Sequence, residues 1–381
     1  REHNISPDYL YEGWEDLIRC RPPVEAVLVT TQDRDHVEPA IAALSAGYHV
    51  LLEKPIAVTP LDVARVVAAA ERLKRQLWIA HVMRYAPIFT KLKETLDGGA
   101  VGRVVSIQHA EHVAYWHFAH SYVRGPWAKE EDASPIVLAK TCHDLDLLHW
   151  IVGVPVESVH SFAERTVFKQ HNAPPGAPEF CVQGCPIQDT CLYYAPRVYE
   201  RGYDITQIGL LSTSPLLRWL SAQVLKDGPL IHALAKVVPE LDRYVNFRQW
   251  PTSAITDDLS KDGIRRALGT GRFGRCVYRS DNDVPDHQTI NVRFQNGVLA
   301  TMTMEGTSYL DGRWFRIDGT RGTLTGNFTY AGQELVLARH AGGRPQRLFS
   351  YGLDPGGHSI ADRGLMDSFV KAMADDTGAQ T

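Results

Sequence analysis

Between residues 26 and 81 short apolar runs alternate with amphipathic ones, and this alternation restricts the architecture more than any other feature of the chain. Ala26–Thr30 (AVLVT), Tyr48–Leu52 (YHVLL) and Leu77–His81 (LWIAH) read as three short buried strands. His36–Ala46 has helical spacing and is expected to close at Gly47. A second helix opens at Thr59-Pro60-Leu61-Asp62. Thr59 suits the N-cap, Pro60 the first turn, and Asp62 the positive end of the helix. Val63, Val66, Val67, Ala70 and Leu73 form its apolar stripe. Strands joined through helices run parallel with right-handed crossovers, which is half of a doubly wound α/β sheet.

From Arg103 the pattern changes. Arg103–Glu111 opens as a strand, and Ile290, Val292 and Phe294 alternate with polar residues. Asn296-Gly297 marks a hairpin turn, after which Val298, Ala300, Met302 and Met304 continue the alternation. Trp314–Ile317 and Leu335–Ala338 add strands. The expected division is a partial Rossmann domain with a parallel sheet over 1–88, then an α+β domain with a large, mostly antiparallel open sheet over 89–381. A cysteine-containing insertion occupies about 163–275 of that second domain.

The bulk numbers exclude several classes. A formal net charge of −4 gives no attraction to nucleic acid or to an anionic membrane. No apolar run is long enough to span a bilayer, and no leader pattern opens the chain. Six cysteines in 381 residues do not make a disulfide scaffold, so a reduced, cytoplasmic setting is expected. The first residue is Arg1 rather than Met, and the natural beginning is expected to lie upstream.

Gly269–Gly274 (GTGRFG) fits the phosphate-cradling pattern G-x-G-x-x-G. That pattern works when a strand enters the glycines and a helix leaves them. Here a helix-like stretch, Asp262–Leu268, enters and ends at Gly269, and a strand-like stretch, Arg275–Asp283, leaves. The order is reversed, so the glycines are expected to make a helix-to-strand connection.

Ligands of open parallel sheets bind at the carboxyl ends of the strands. Thr31–His36 and Glu53-Lys54-Pro55 both follow strands directly. A lysine there can hydrogen-bond a hydroxyl and help move its proton; on its own it can equally be a solvated surface residue. Lys140–Trp150 (KTCHDLDLLHW) begins a helix that gathers His143, Asp144 and Asp146. Asp146, three residues after His143, is placed to orient the imidazole; a structural capping cluster is the other reading.

Taken together, these stretches resemble the Gfo/Idh/MocA family of NAD(P)-dependent oxidoreductases. The resemblance runs through VLVTTQDRDH, AGYHVLLEKPIA, His81–Tyr85 (HVMRY), Gly102–Ile107 (GRVVSI) and CHDLDLLHW, in the family's order. It implies NAD or NADP as cofactor and a sugar, cyclitol or related polyol as substrate. It makes Lys54 the catalytic lysine and His143 the general acid/base. Thr31, Gln32, His36, Glu53 and Lys54 would line the cofactor, with Arg84 near nicotinamide and substrate. Many members carry Asp four residues before the catalytic histidine; here that position is Ala139, so Lys140 or Asp144 is expected to join the relay. The family's glycine-rich turn is expected upstream of Arg1. A homo-dimer or homo-tetramer is implied as well. A glycosidase of the same fold that oxidises transiently with bound NAD, and a dinucleotide-binding sensor without chemistry, are the alternatives.

Three further stretches remain. Trp116–Trp127 (WHFAHSYVRGPW) mixes aromatic and hydrogen-bonding residues that suit a sugar, and His120, Arg124 and Trp127 are read as substrate-lining; a packed loop is the other reading. Cys181, Cys185 and Cys191 resemble a metal loop, a structural zinc with His171 as nearest histidine, against buried or redox-active thiols. Gly356–Asp362 is a further candidate for the mouth of the site, and a structural helix start is the preferred reading.

Overall fold

A computed structural model describes residues 5–212, 214–352 and 359–374. It separates into two compact units. The first takes in Arg1–Phe89, Glu131–Asp146 and His358–Thr381; the second takes in Thr90–Glu130 and Leu147–Gly357.

The first unit is built on three parallel strands in the order β1 (Ala26–Val29), β2 (His49–Leu52), β3 (Leu77–Ile79). Between β1 and β2 runs the helix Val37–Ser45. Its end is a Schellman closure: the Gly47 N–H donates to Leu44 O and the Tyr48 N–H to Ala43 O. Gly47 sits at φ 98°, a conformation that glycine adopts without strain. The helix Pro60–Leu73 leads from β2 to β3, and the Thr59 hydroxyl accepts the Asp62 N–H at 3.1 Å. Val63, Val66, Ala70 and Leu73 join a core with Val50, Leu52, Ala40 and Leu44. Val67 does not: it is 36% exposed, and Ala69 is buried in its place. On the other side of the sheet, Leu51, Trp78 and Ala80 pack against Leu365, Phe369 and Ala372 of the C-terminal helix Ser359–Ala374. Of the expected helix start at Gly356–Asp362, Gly356–His358 lie outside the described residues.

The second unit carries an eight-stranded sheet. Its strands are β4 (Val104–Ala114), β5 (Val156–Glu164), β6 (His287–Phe294), β7 (Leu299–Ser308), β8 (Gly312–Gly319), β9 (Gly322–Thr329), β10 (Gly332–Arg339) and β11 (Gln346–Tyr351). The order is β11-β10-β9-β8-β4-β7-β6-β5, and only β4 and β7 pair in parallel. The β6–β7 hairpin turns through Asn296 and Gly297, with Gly297 at φ 83°. Ile290, Val292, Phe294, Ala300, Met302 and Met304 are buried, as the alternation demands.

Helices dominate the stretch between β5 and β6. The helix Lys261–Thr270 passes through Gly269 and closes at Gly271, two residues later than the glycine pattern predicts. A Cβ at Gly274 would run into the Leu268 carbonyl, so close packing against the helix end explains this glycine. No strand follows: Arg275 makes only an isolated bridge with Phe180, and the expected strand over Arg275–Asp283 is absent. Without a strand entering or a helix leaving, Gly269–Gly274 has none of the geometry of a phosphate cradle.

Candidate active site

The first unit holds the expected catalytic residues. Strand β2 delivers Glu53 and Lys54 at its carboxyl end, where the Glu53 N–H still donates to Val29 O of the neighbouring strand at 3.0 Å. The Lys54 ammonium donates to Ala139 O at 2.7 Å. Ala139 ends the short turn Ile136–Ala139, just before the helix Cys142–Val152 that carries His143. Position 139 thus contributes its carbonyl, where its methyl side chain has nothing to offer a proton. Lysine carries three donors, and one is used here.

Around β1 the loop Thr31–His36 is braced from inside. His36 is fully buried; its Nδ1 lies 2.6 Å from Pro55 O and its Nε2 3.0 Å from Thr31 O. The ring therefore ties the two strand-end loops together and forms wall, not open lining. Thr31 and Gln32 are exposed, with the Thr31 hydroxyl donating to Asp35 O at 2.9 Å. Glu53 is half-buried and its Oε2 accepts the Lys54 N–H at 3.2 Å. Asp33, buried, accepts the hydroxyl of buried Ser134 at 2.5 Å. Nothing local in the sequence signals that bond, because its partners are remote in the chain.

The helix Cys142–Val152 opens with Cys142, His143, Asp144 and Asp146. Asp144 is fully buried, Lys140 and His143 half-buried. Burial pushes the Cys142 thiol up to about 12, against the opposing pull of the Lys54 ammonium, so this sulfur stays protonated at neutral pH. Asp146, read from sequence as a partner for His143, is gripped by Arg84: Nε donates at 2.8 Å and Nη2 at 2.6 Å, a bidentate pair. Arg84 was expected near nicotinamide and substrate; its guanidinium is committed to this carboxylate. His81, not singled out for chemistry, stands beside them with Nε2 3.8 Å from Asp146 Oδ1 and its ring edge-on to His143, centres 5.9 Å apart. Burial lowers the His81 pKa, Asp146 opposes that, and Arg84 and Lys54 add to it.

In the second unit two of the residues read as substrate-lining are buried. His120 is 4% exposed; its Nδ1 meets the Tyr199 hydroxyl at 2.9 Å and its ring stacks on Phe273. Burial drives its pKa down to about 3, with His117 and Arg124 adding to the shift. Arg124 is 2% exposed and donates to Arg275 O at 2.7 Å and Tyr193 O at 2.8 Å. Both are interior struts. Trp127 is half-buried against Tyr122. A neutral buried histidine has a consequence for stability. Unfolding frees His120 to bind a proton near its ordinary value of 6.5, which the folded state refuses until about 3. Its contribution is complete above the unfolded pKa and is lost as pH falls through that window. Denaturant unfolding of wild type and His120→Gln between these limits should show the shallower pH slope in the variant.

The cysteine loop is also reassigned. Cys181, Cys185 and Cys191 share a cavity of about 10 Å³ with Cys276, a residue the sequence spacing did not connect to them. The Arg124 guanidinium lies 3.4 Å from Cys181 Sγ, so a cation already sits against the thiols. Burial raises the pKa of Cys191 and Cys276. Among the described residues no group of three or more His, Cys, Asp or Glu is arranged to hold a metal ion, and structural zinc is not supported. All six cysteines are free. Treatment of the protein with a strong zinc chelator should leave its melting temperature unchanged; a fall of several degrees would contradict the assignment.

No helix among the described residues is long and apolar enough to cross a membrane. Known proteins share parts of this sequence and its fold. Residues 3–81 match the oxidoreductase family with NAD-binding Rossmann fold, and residues 89–183 match the GFO/IDH/MocA C-terminal domain. The protein YteT of Bacillus subtilis (strain 168) is 22% identical over 327 residues, 84% of this chain and 64% of its own length. Inositol 2-dehydrogenase of Salmonella typhimurium (strain LT2) is 31% identical over 157 residues, 41% of this chain; the match spans 43% of that enzyme. Among solved structures, levoglucosan dehydrogenase in complex with NADH has a TM-score of 0.56 at 15% identity, covering 96% of this chain and 74% of that one. An inositol dehydrogenase homologue from Azotobacter vinelandii, complexed with NADH and myo-inositol, also has a TM-score of 0.56, at 13% identity, covering 98% and 73%. The two stretches 3–81 and 89–183 thus match the N- and C-terminal domains of the Gfo/Idh/MocA family of oxidoreductases.

Proposed function

We propose that the protein is an NAD(P)-dependent oxidoreductase that interconverts a secondary alcohol and a ketone on a sugar, cyclitol or related polyol. One observation carries the reading: Lys54 Nζ is fixed at 2.7 Å on Ala139 O, four residues before His143. An ammonium and an imidazole on adjoining segments are what alcohol oxidation requires of a protein, one to hold the oxygen and one to take its proton.

The residues present fit a dinucleotide. Thr31 and Gln32 are exposed after β1, and Glu53 and Lys54 are half-buried after β2, at the strand ends where such ligands bind. They would hold the cofactor with His36 behind them. Nicotinamide, when bound, supplies the acceptor or donor of the hydride. Lys54 holds the substrate oxygen and favours its alkoxide character. His143 takes the hydroxyl proton in oxidation and returns it in reduction, while Arg84 clamps Asp146 on the same helix as His143. Two of the proteins named above are an inositol 2-dehydrogenase and a levoglucosan dehydrogenase, and that supports a cyclitol or sugar here. The family match also supports a homo-dimer or homo-tetramer, and the eight-stranded sheet leaves Val105, Val159, Phe162, Leu299 and Trp314 at least 40% exposed.

The test is net formation of reduced nicotinamide by the natural full-length protein, with NAD and with NADP, across cyclitols, hexoses and anhydrosugars. Turnover on at least one class supports the reading. Cleavage of a glycoside without net reduction would favour the glycosidase, and cofactor binding with no turnover at all would favour the sensor.

A further inference from the structure

His81 is left over by this chemistry. It follows β3, and its ring stands edge-on to His143 at 5.9 Å and 80°. Its Nδ1 is buried and meets no hydrogen-bond partner among the described residues. Its Nε2 faces the Asp146 carboxylate at 3.8 Å, and Arg84 fixes that carboxylate. A buried polar atom without a partner is costly and calls for an explanation in function. The carboxylate side favours the tautomer with the proton on Nε2, which leaves Nδ1 as a lone-pair acceptor.

We propose that His81 is a relay residue that acts through His143, a deduction that rests on the oxidoreductase reading. In oxidation the substrate O–H bond breaks and its proton passes to His143. The hydride and its electron pair leave with the nicotinamide. The proton moves from His143 to His81 Nδ1 through one intervening water, since that atom has no His143 nitrogen within hydrogen-bond reach, and Asp146 stabilises the imidazolium that forms. In reduction the same proton returns by the reverse path. The charged and titratable groups facing His81 are Asp146, Arg84, Lys54 and His143, three from other segments and Arg84 from its own turn. Position 139, whose carbonyl holds Lys54, has no side chain able to carry a proton. His81 supplies that capacity.

The test uses His81→Phe, which keeps the ring volume, and His81→Gln, which keeps hydrogen bonding without titration. On a polyol that wild type oxidises, both should lose about tenfold or more in kcat with KM nearly unchanged. The acid limb of the kcat profile should become shallower, because one ionisation is gone. Wild-type kcat and an unaltered pH profile in both variants would overturn the relay. Histidine-ring NMR decides the coupling without turnover. His143→Phe should displace the ionisation of His81, and an unmoved ionisation would overturn the proposal even if no polyol were oxidised. Inertness of wild type towards every polyol would instead count against the oxidoreductase reading.

Discussion

Lys54→Met should lower kcat by about a thousandfold while leaving the fold intact, and His143→Ala should cost about a hundredfold to ten-thousandfold. Methionine keeps most of the lysine stem and removes only the ammonium. The Lys54 amine bonds Ala139 O at 2.7 Å in a half-buried setting, so its loss frees one carbonyl and leaves the core untouched. The expected melting temperature therefore stays within a few degrees, a shift of about 1 kcal/mol or less. Groups that act on one proton do not contribute additively. The double variant is expected to be no slower than the worse single one by more than about tenfold. Steady-state rates with matched unfolding curves make the check. Wild-type turnover in both single variants would remove the two residues from the chemistry.

Arg124→Met has the opposite signature. Arg124 is 2% exposed, and its guanidinium satisfies the carbonyls of Arg275 and Tyr193 as well as touching Cys181 Sγ. Methionine fills part of the volume and strands both carbonyls. The expected loss is about 3 kcal/mol of stability, from two unsatisfied buried acceptors. The Michaelis constant for the polyol should not move, since the buried guanidinium is engaged with the Arg275 and Tyr193 carbonyls. Urea unfolding and kinetics on the same preparation separate the outcomes. Undiminished stability with a raised KM would restore Arg124 to the substrate.

What the sequence revealed was local, and what it hid was long-range. The strands at Ala26, Tyr48 and Leu77 could be read because alternating apolar runs and Gly47 leave their signature within a few residues. The hairpin at Gly297 was legible for the same reason, since only the turn chemistry is needed. Val67 was misplaced because a helical stripe has a fuzzy edge, and one step of phase exchanges it with Ala69. Lys54 and His143 were visible as types in suggestive positions, but the carbonyl that joins their segments belongs to Ala139, whose side chain announces nothing. Asp146 looked like a partner for His143 at helical spacing, and Arg84 claims it through a pairing no local rule predicts. The burial of His120 and Arg124 was not legible because hydrogen-bonding and aromatic residues in one run suit a sugar and a packed interior equally well. Burial decides between them, and residue type does not report burial. Cys276 was overlooked because the segment Gly274–Cys276 meets Glu179–Cys181 from far along the chain, through Cys181 N–H to Gly274 O and Cys276 N–H to Glu179 O, both at 2.8 Å, and an Arg275–Glu179 ion pair at 3.6 Å.

The central claim is that hydride leaves a polyol carbon and stays on the nicotinamide. The most direct measurement is isotopic: the natural full-length protein is incubated with NAD or NADP and a carbon-deuterated polyol, and the released cofactor is analysed by mass spectrometry. The predicted result is deuterium on the reduced cofactor, accumulating in step with the ketone, with His143→Ala slowing both together. Ketone-free reaction mixtures with no deuterium on any released cofactor, across cyclitols and sugars alike, would contradict it.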